Sequence, residues 1–112
     1  MRSVRRPNLA FYVTHRYGAT DRDPPLESLE RLLRELDDRQ EDTEHTDVSV
    51  RHESEWCISA FRAGYVVLEN LEGGGKRHMR GVSDTKILAL WSLLANGDIP
   101  SIELEPWRPG YK

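Results

Sequence analysis

SDTKILALWSLLANGDIPSIELEPW, running from Ser83 to Trp107, is the stretch whose reading decides the fold. Ser83 or Asp84 can cap a helix here. Ile87, Leu88, Leu90, Trp91, Leu93, Leu94 and Ala95 give that helix a broad apolar face, so it is expected to be the most buried helix of the chain. Asn96-Gly97 supplies the stop, because glycine readily takes the left-handed conformation that ends helices. Beyond Asp98 and Pro100, Ile102 and Leu104 alternate with Glu103 and Glu105, which predicts a short edge strand closed by Pro106.

So apolar a helix needs a partner layer, and the preceding residues supply one. Val48–Glu53, Trp56–Ala63 and Tyr65–Leu71 read as three short strands in a meander, broken at Glu53-Ser54-Glu55 and at Gly64. In the second run Trp56, Ile58, Ala60 and Arg62 share one face and Cys57, Ser59 and Phe61 the other, so its register is ambiguous. Glu72-Gly73-Gly74-Gly75 is a turn, and Lys76–Val82 returns as a further strand.

Toward the N-terminus, Leu9, Phe11, Val13, His15 and Tyr17 alternate with Ala10, Tyr12, Thr14 and Arg16, which predicts a first strand over 9–17. After a polar turn over 18–23, Asp23-Pro24-Pro25 opens a helix. Leu26, Leu29, Leu32, Leu33 and Leu36 form its buried stripe, to about Asp38. The expectation is a single α+β domain over 1–112: an antiparallel sheet in the order β-α-β-β-β-(β)-α-β, covered by two helices, with a tail at 108–112.

Bulk properties narrow the functional classes. The chain has 112 residues, 38% apolar and 31% charged, with a net charge of −3. That sign argues against general nucleic-acid or membrane binding, since phosphate recognition needs clustered positive charge. Cys57 is the only cysteine, which fits a reducing compartment, and the cytoplasm is the expected location. No run approaches the roughly 18 apolar residues of a membrane span. The opening MRSVRRPNLAFYV lacks a small-residue cleavage pattern and reads as the first strand rather than a leader.

Each candidate for chemistry has a plainer reading. GGGK at Gly73–Lys76 lacks the spacing of a phosphate loop and runs into Arg77-His78, so it reads as a hairpin turn. His15, His45, His52 and His78 show no metal-ligand spacing, although His45, Asp47 and His52 could meet near the acidic segment. Cys57 lies inside a strand, where a free cysteine packs as a small hydrophobe. Ser54, Ser59 and Ser83 have no nucleophile context, and Glu53 and Glu55 read as surface acids. No enzyme, cofactor or metal is expected.

The charge map is more informative. From Glu35 to Asp47 seven acids stand against Arg39 alone, which predicts an exposed flexible loop over about 39–47. A charge run is usually a solvated face. It can also steer fast association with a basic partner, and on that ground Glu41, Asp42, Glu44 and Asp47 are the first candidate contact residues. Trp107, Arg108 and Tyr111 form a second candidate patch, because aromatic and arginine side chains are favoured anchors. The plainer alternative is that Trp107 closes the core and the tail is frayed. A nucleic-acid site on Arg2, Arg5, Arg6 and the Lys76–Arg80 cluster would need those residues on one face.

Val82, Ser83, Leu90, Leu94, Gly97, Pro100, Ile102 and Trp107 also carry a resemblance. The ending from Val82 to Trp107 resembles the C-terminal part of Imm1-like immunity proteins of bacterial polymorphic toxin systems. The resemblance covers about a quarter of the chain. It implies an α+β cytosolic protein that binds and neutralises a cognate toxin domain, often a nuclease or deaminase, and has no activity of its own. It transfers no interface. The alternative class is a small ligand-binding domain or enzyme with a pocket lined by His15, His52, Arg62 or Glu69. Exposed strands would also be compatible with a homodimer.

Overall fold

The structure, a computed structural model, describes residues 10–37 and 46–110. The fold is α+β. The three central runs form β3 (Asp47–His52), β4 (Trp56–Phe61) and β5 (Tyr65–Asn70). Val50 stands opposite Ile58, and Ile58 opposite Leu68, which resolves the ambiguous register: Ile58 and Ala60 face the core. Around this meander stand β1 (Phe11–Thr14), β2 (Thr20–Arg22), β6 (Arg77–Met79) and β7 (Arg108–Pro109). The seven strands are antiparallel in the order β2-β1-β3-β4-β5-β6-β7.

One face of the sheet carries the core. Phe11, Val13, Val48, Val50, Ile58, Ala60, Val66, Leu68 and Met79 project there and meet α1 (Ser28–Arg34) and α2 (Asp84–Ala95). α2 starts where expected, with Ser83 Oγ accepting from the Lys86 N–H at 3.1 Å, and buries Ile87, Leu90, Trp91 and Leu94. Each such side chain contributes about 2 kcal/mol on burial. Intrinsic helix propensities differ by only a few tenths of a kcal/mol per residue, so packing on the sheet decides this helix. Gly97 follows at φ +75°, and a Cβ there would stand 3.1 Å from the His52 ring, so both conformation and space favour glycine.

Four sequence expectations need correction. First, β1 stops at Thr14 rather than Tyr17, because His15 and Arg16 turn away to meet Glu35. The polar turn over 18–23 then contains β2, which pairs with β1. Second, the first helix begins at Ser28 rather than Pro24. The Asp23 carboxylate is used by the Phe11 N–H at 3.0 Å, and Leu26 is exposed. A 3₁₀ turn over Glu35–Asp37 extends the helix at its end, where the Arg62 Nε donates to the Leu36 carbonyl at 2.6 Å.

Third, the expected strand at 102–105 is a helix, α3 (Ile99–Glu103). Asp98 caps it by accepting from the Ser101 N–H and hydroxyl at 3.2 and 2.8 Å, with Pro100 in its first turn. Ile102 is fully buried while Leu104 is 85% exposed, so the two never share a strand face. Fourth, the tail is held as far as Gly110: β7 pairs with β6, and the Gly110 N–H donates to the Lys76 carbonyl at 2.8 Å. Both sheet edges are short, and Pro109 sits in one of them, which blunts strand addition there.

Trp91 is fully buried and donates its indole N–H to the Ile58 carbonyl at 3.0 Å, pinning α2 to the central strand. Trp91→Phe keeps an aromatic ring but removes the donor, and is expected to cost about 1–3 kcal/mol. Trp91→Ala should cost about 3–5 kcal/mol. Urea unfolding of the two variants checks the order.

Candidate functional site

Among the described residues the helices occupy one face of the sheet, and the opposite face is built by the alternate strand positions. The register arranges them in three rows. The first runs Arg22, Tyr12, Arg51, Cys57, Glu69 across β2, β1, β3, β4 and β5. The second crosses all seven strands as Thr20, Thr14, Ser49, Ser59, Val67, His78, Arg108. The third is Asp47, Phe61, Tyr65, with Arg80 beside it.

Short hydroxyl side chains thus fill the middle row from β2 to β4, between two rows that carry rings and guanidinium groups. The Arg51 guanidinium lies 4.4 Å from the centre of the Tyr12 ring, and that of Arg80 5.1 Å from the Tyr65 ring. Tyr65 also meets Phe61 and His78 at centroid distances of 5.4 and 5.7 Å. Stacking on a ring holds a guanidinium flat and leaves the N–H fork directed sideways. Cys57, Val67 and His78 are buried in this face, and most of the other members are half-buried.

The thiol of Cys57 lies among Ser59, Ser49, Glu69 and Arg51, and burial pushes its pKa up to about 11. It is therefore a protonated packing group rather than a nucleophile. His78 donates Nδ1–H to the Gly110 carbonyl at 3.0 Å. His52 is buried on the helix side, where its Nδ1 accepts from the Ser54 N–H at 3.1 Å. Asp47 and His52 stand at opposite ends of β3 and on opposite faces, and His45 lies outside the described residues, so the metal candidate His45, Asp47, His52 is not brought together. Among the described residues no group of three or more histidine, cysteine, aspartate or glutamate side chains is placed to hold a metal. GGGK leads into strand β6 rather than a helix, as a hairpin turn would.

A second cluster joins the β1–β2 hairpin to the end of α1. His15 places Nδ1 2.6 Å from Glu35 Oε2 and Nε2 2.7 Å from Asp21 Oδ2. Glu35 also accepts from the Arg16 N–H at 2.9 Å, and its own carbonyl accepts from the buried Arg16 guanidinium at 3.0 Å. Beside it is a cleft of about 490 Å³ whose walls include Val13, Leu32 and Arg31. Neither His52, Arg62 nor Glu69 reaches that cleft, so the pocket imagined for a small enzyme is not assembled from those four residues.

The anticipated contact residues are dispersed. Glu41, Asp42, Glu44 and Tyr111 lie outside the described residues, as do Arg2, Arg5 and Arg6. Asp47 begins β3, half-buried, and its carboxyl is pushed above the usual carboxylate range chiefly by burial. Trp107 packs against the core and donates its indole N–H to the Ile102 carbonyl at 2.8 Å, which is the core-closing role. Arg108 lies in register with His78 on the other face. Tyr12, Arg51, Tyr65 and Arg80 were missed as a group, although strict alternation from the buried positions of each strand would have found them. Comparison with protein-family models, with curated proteins and with solved structures gives no match.

Hydrogen bonds first to Glu35 and then to Asp21 raise the His15 pKa above its ordinary 6.5. The stability this clip contributes is fully present below the unfolded value and is lost as pH rises through the raised folded value. Urea midpoints taken between about pH 6 and about pH 9 should therefore fall more steeply for the wild type than for His15→Gln. Equal slopes would remove the charge from this account.

Proposed function

We propose that this chain is an immunity protein, which binds and neutralises a cognate bacterial toxin domain in the cytoplasm by protein-protein contact and performs no chemistry of its own. The observation that carries the reading is the sheet face described above. A purely solvated face would show mixed short polar and charged groups, whereas this one gathers Tyr12, Phe61, Tyr65, Arg51 and Arg80. Those are the residue types that dominate binding energy at protein interfaces. The resemblance of the Val82–Trp107 segment to immunity proteins supports the same reading.

The acids of the preceding segment have a part in it. Glu41, Asp42 and Glu44 precede β3 in the sequence and Asp47 begins it, and their charge would steer a basic region of the toxin toward the chain. Steering acts on the rate of encounter more than on the lifetime of the complex. Arg108 borders the same face, and Tyr111 follows it in sequence.

The test is co-expression with the product of the neighbouring gene, under conditions in which that product alone arrests growth. The expected outcome is restored growth and a stoichiometric complex on gel filtration. Substituting serine at Glu41, Asp42, Glu44 and Asp47 together should slow association roughly tenfold at low salt with little change in melting temperature. Neither protection nor a complex would discard the proposal.

A further inference from the structure

The middle row of the sheet face defines a trough. Thr14, Ser49 and Ser59 are short, while two residues away along their strands stand Tyr12 and Arg51 on one side and Asp47 and Phe61 on the other, with Tyr65 next to Phe61. A two-residue step is roughly 7 Å, so the flanking rows are roughly 13 Å apart. That is enough for one extended polypeptide. At about 4.8 Å per strand, the distance from β2 to β5 is about 19 Å, the length of roughly six extended residues.

Among the described residues, arginines outnumber acids on this face. Arg22, Arg51, Arg80 and Arg108 stand against Asp47, Glu69 and, at the rim, Glu55, which is 3.6 Å from Arg51. The whole chain carries −3. Arg51 and Arg80 lie over tyrosine rings, which limits the side-chain freedom they lose on binding. Guanidinium forks match carboxylates.

Single-stranded nucleic acid would use the same charges but a different surface. It needs ring faces on which bases stack. Here Tyr12 is covered by Arg51, and Tyr65 is shared among Arg80, Phe61 and His78. We infer that the trough across β1, β3 and β4 receives an extended acidic segment of the toxin, with carboxylates on Arg51 and Arg80 and its backbone over the hydroxyls of Ser49 and Ser59. The inference rests on the immunity reading and names the surface and the chemistry through which it acts.

The experiment measures binding of the full chain to the toxin domain identified by that co-expression, by calorimetry at about 50 and about 200 mM salt. Arg51→Glu with Arg80→Glu should weaken binding about thirtyfold or more at low salt, and Ser49→Trp should weaken it by filling the trough without a change of charge. Melting curves check that each variant is folded. Arg22→Glu, at an exposed position 3.6 Å from the Asp23 carboxylate, is checked by the same melting curves and should weaken binding about threefold. Toxin bound equally well by all these variants would overturn the trough and leave the immunity reading standing. Wild-type protein that binds no toxin overturns both. A twelve-nucleotide oligothymidine bound in an Arg51-dependent way would overturn the acidic segment in favour of nucleic acid.

Discussion

The indole of Trp91 is the point on which the other contacts depend. It is fully buried, yet its one polar atom reaches the carbonyl of Ile58 in the central strand, so burial and hydrogen bonding act in the same place. A helix fixed at that point sets where the apolar layer lies, with Val50, Ile58 and Leu68 beneath it. The alternate residues of the same strands are thereby committed to the other side. The candidate face is, in this sense, the complement of the core: Tyr12, Arg51 and Ser59 stand where they do because Val13, Val50 and Ile58 had to face α1 and α2.

Much of this was legible in the residues, and the parts that were not share a cause. α2, its Ser83 cap and its Gly97 stop follow from local chemistry that tertiary structure had no reason to oppose. The three meander strands were bounded by turn residues and paired as expected. The strand expected at Ile102 failed because two-residue alternation over so short a stretch carries less weight than a cap: Asp98, Pro100 and Ser101 together specify a helical turn. The first helix started late because the Asp23 carboxylate went to β1 instead, a competition between distant partners that spacing cannot reveal.

The site was less legible than the fold. Charge density pointed to the acidic segment and to the tail, since those features are visible one residue at a time. The pairs Arg51 on Tyr12 and Arg80 on Tyr65 join residues 39 and 15 positions apart, and only the strand register brings them together. His15 was likewise read as one more strand residue, whereas its setting between Asp21 and Glu35 makes it a link between a hairpin and a helix. Glu35 is the busier partner there. It serves the imidazole, a backbone N–H and, through its carbonyl, a buried guanidinium, which accounts for the chain leaving β1 so abruptly at Thr14.

Cys57 has a consequence of another kind. Its thiol is buried in mid-sheet and pushed to about 11, so that at pH 7 only about one molecule in ten thousand carries the reactive thiolate, even before access is considered. An alkylating reagent can reach it only when the side chains around it on that face move aside. The chain therefore contains its own single-site clock: labelling advances at the frequency with which that cover opens, and a partner lying across the face would slow it without touching the sulfur.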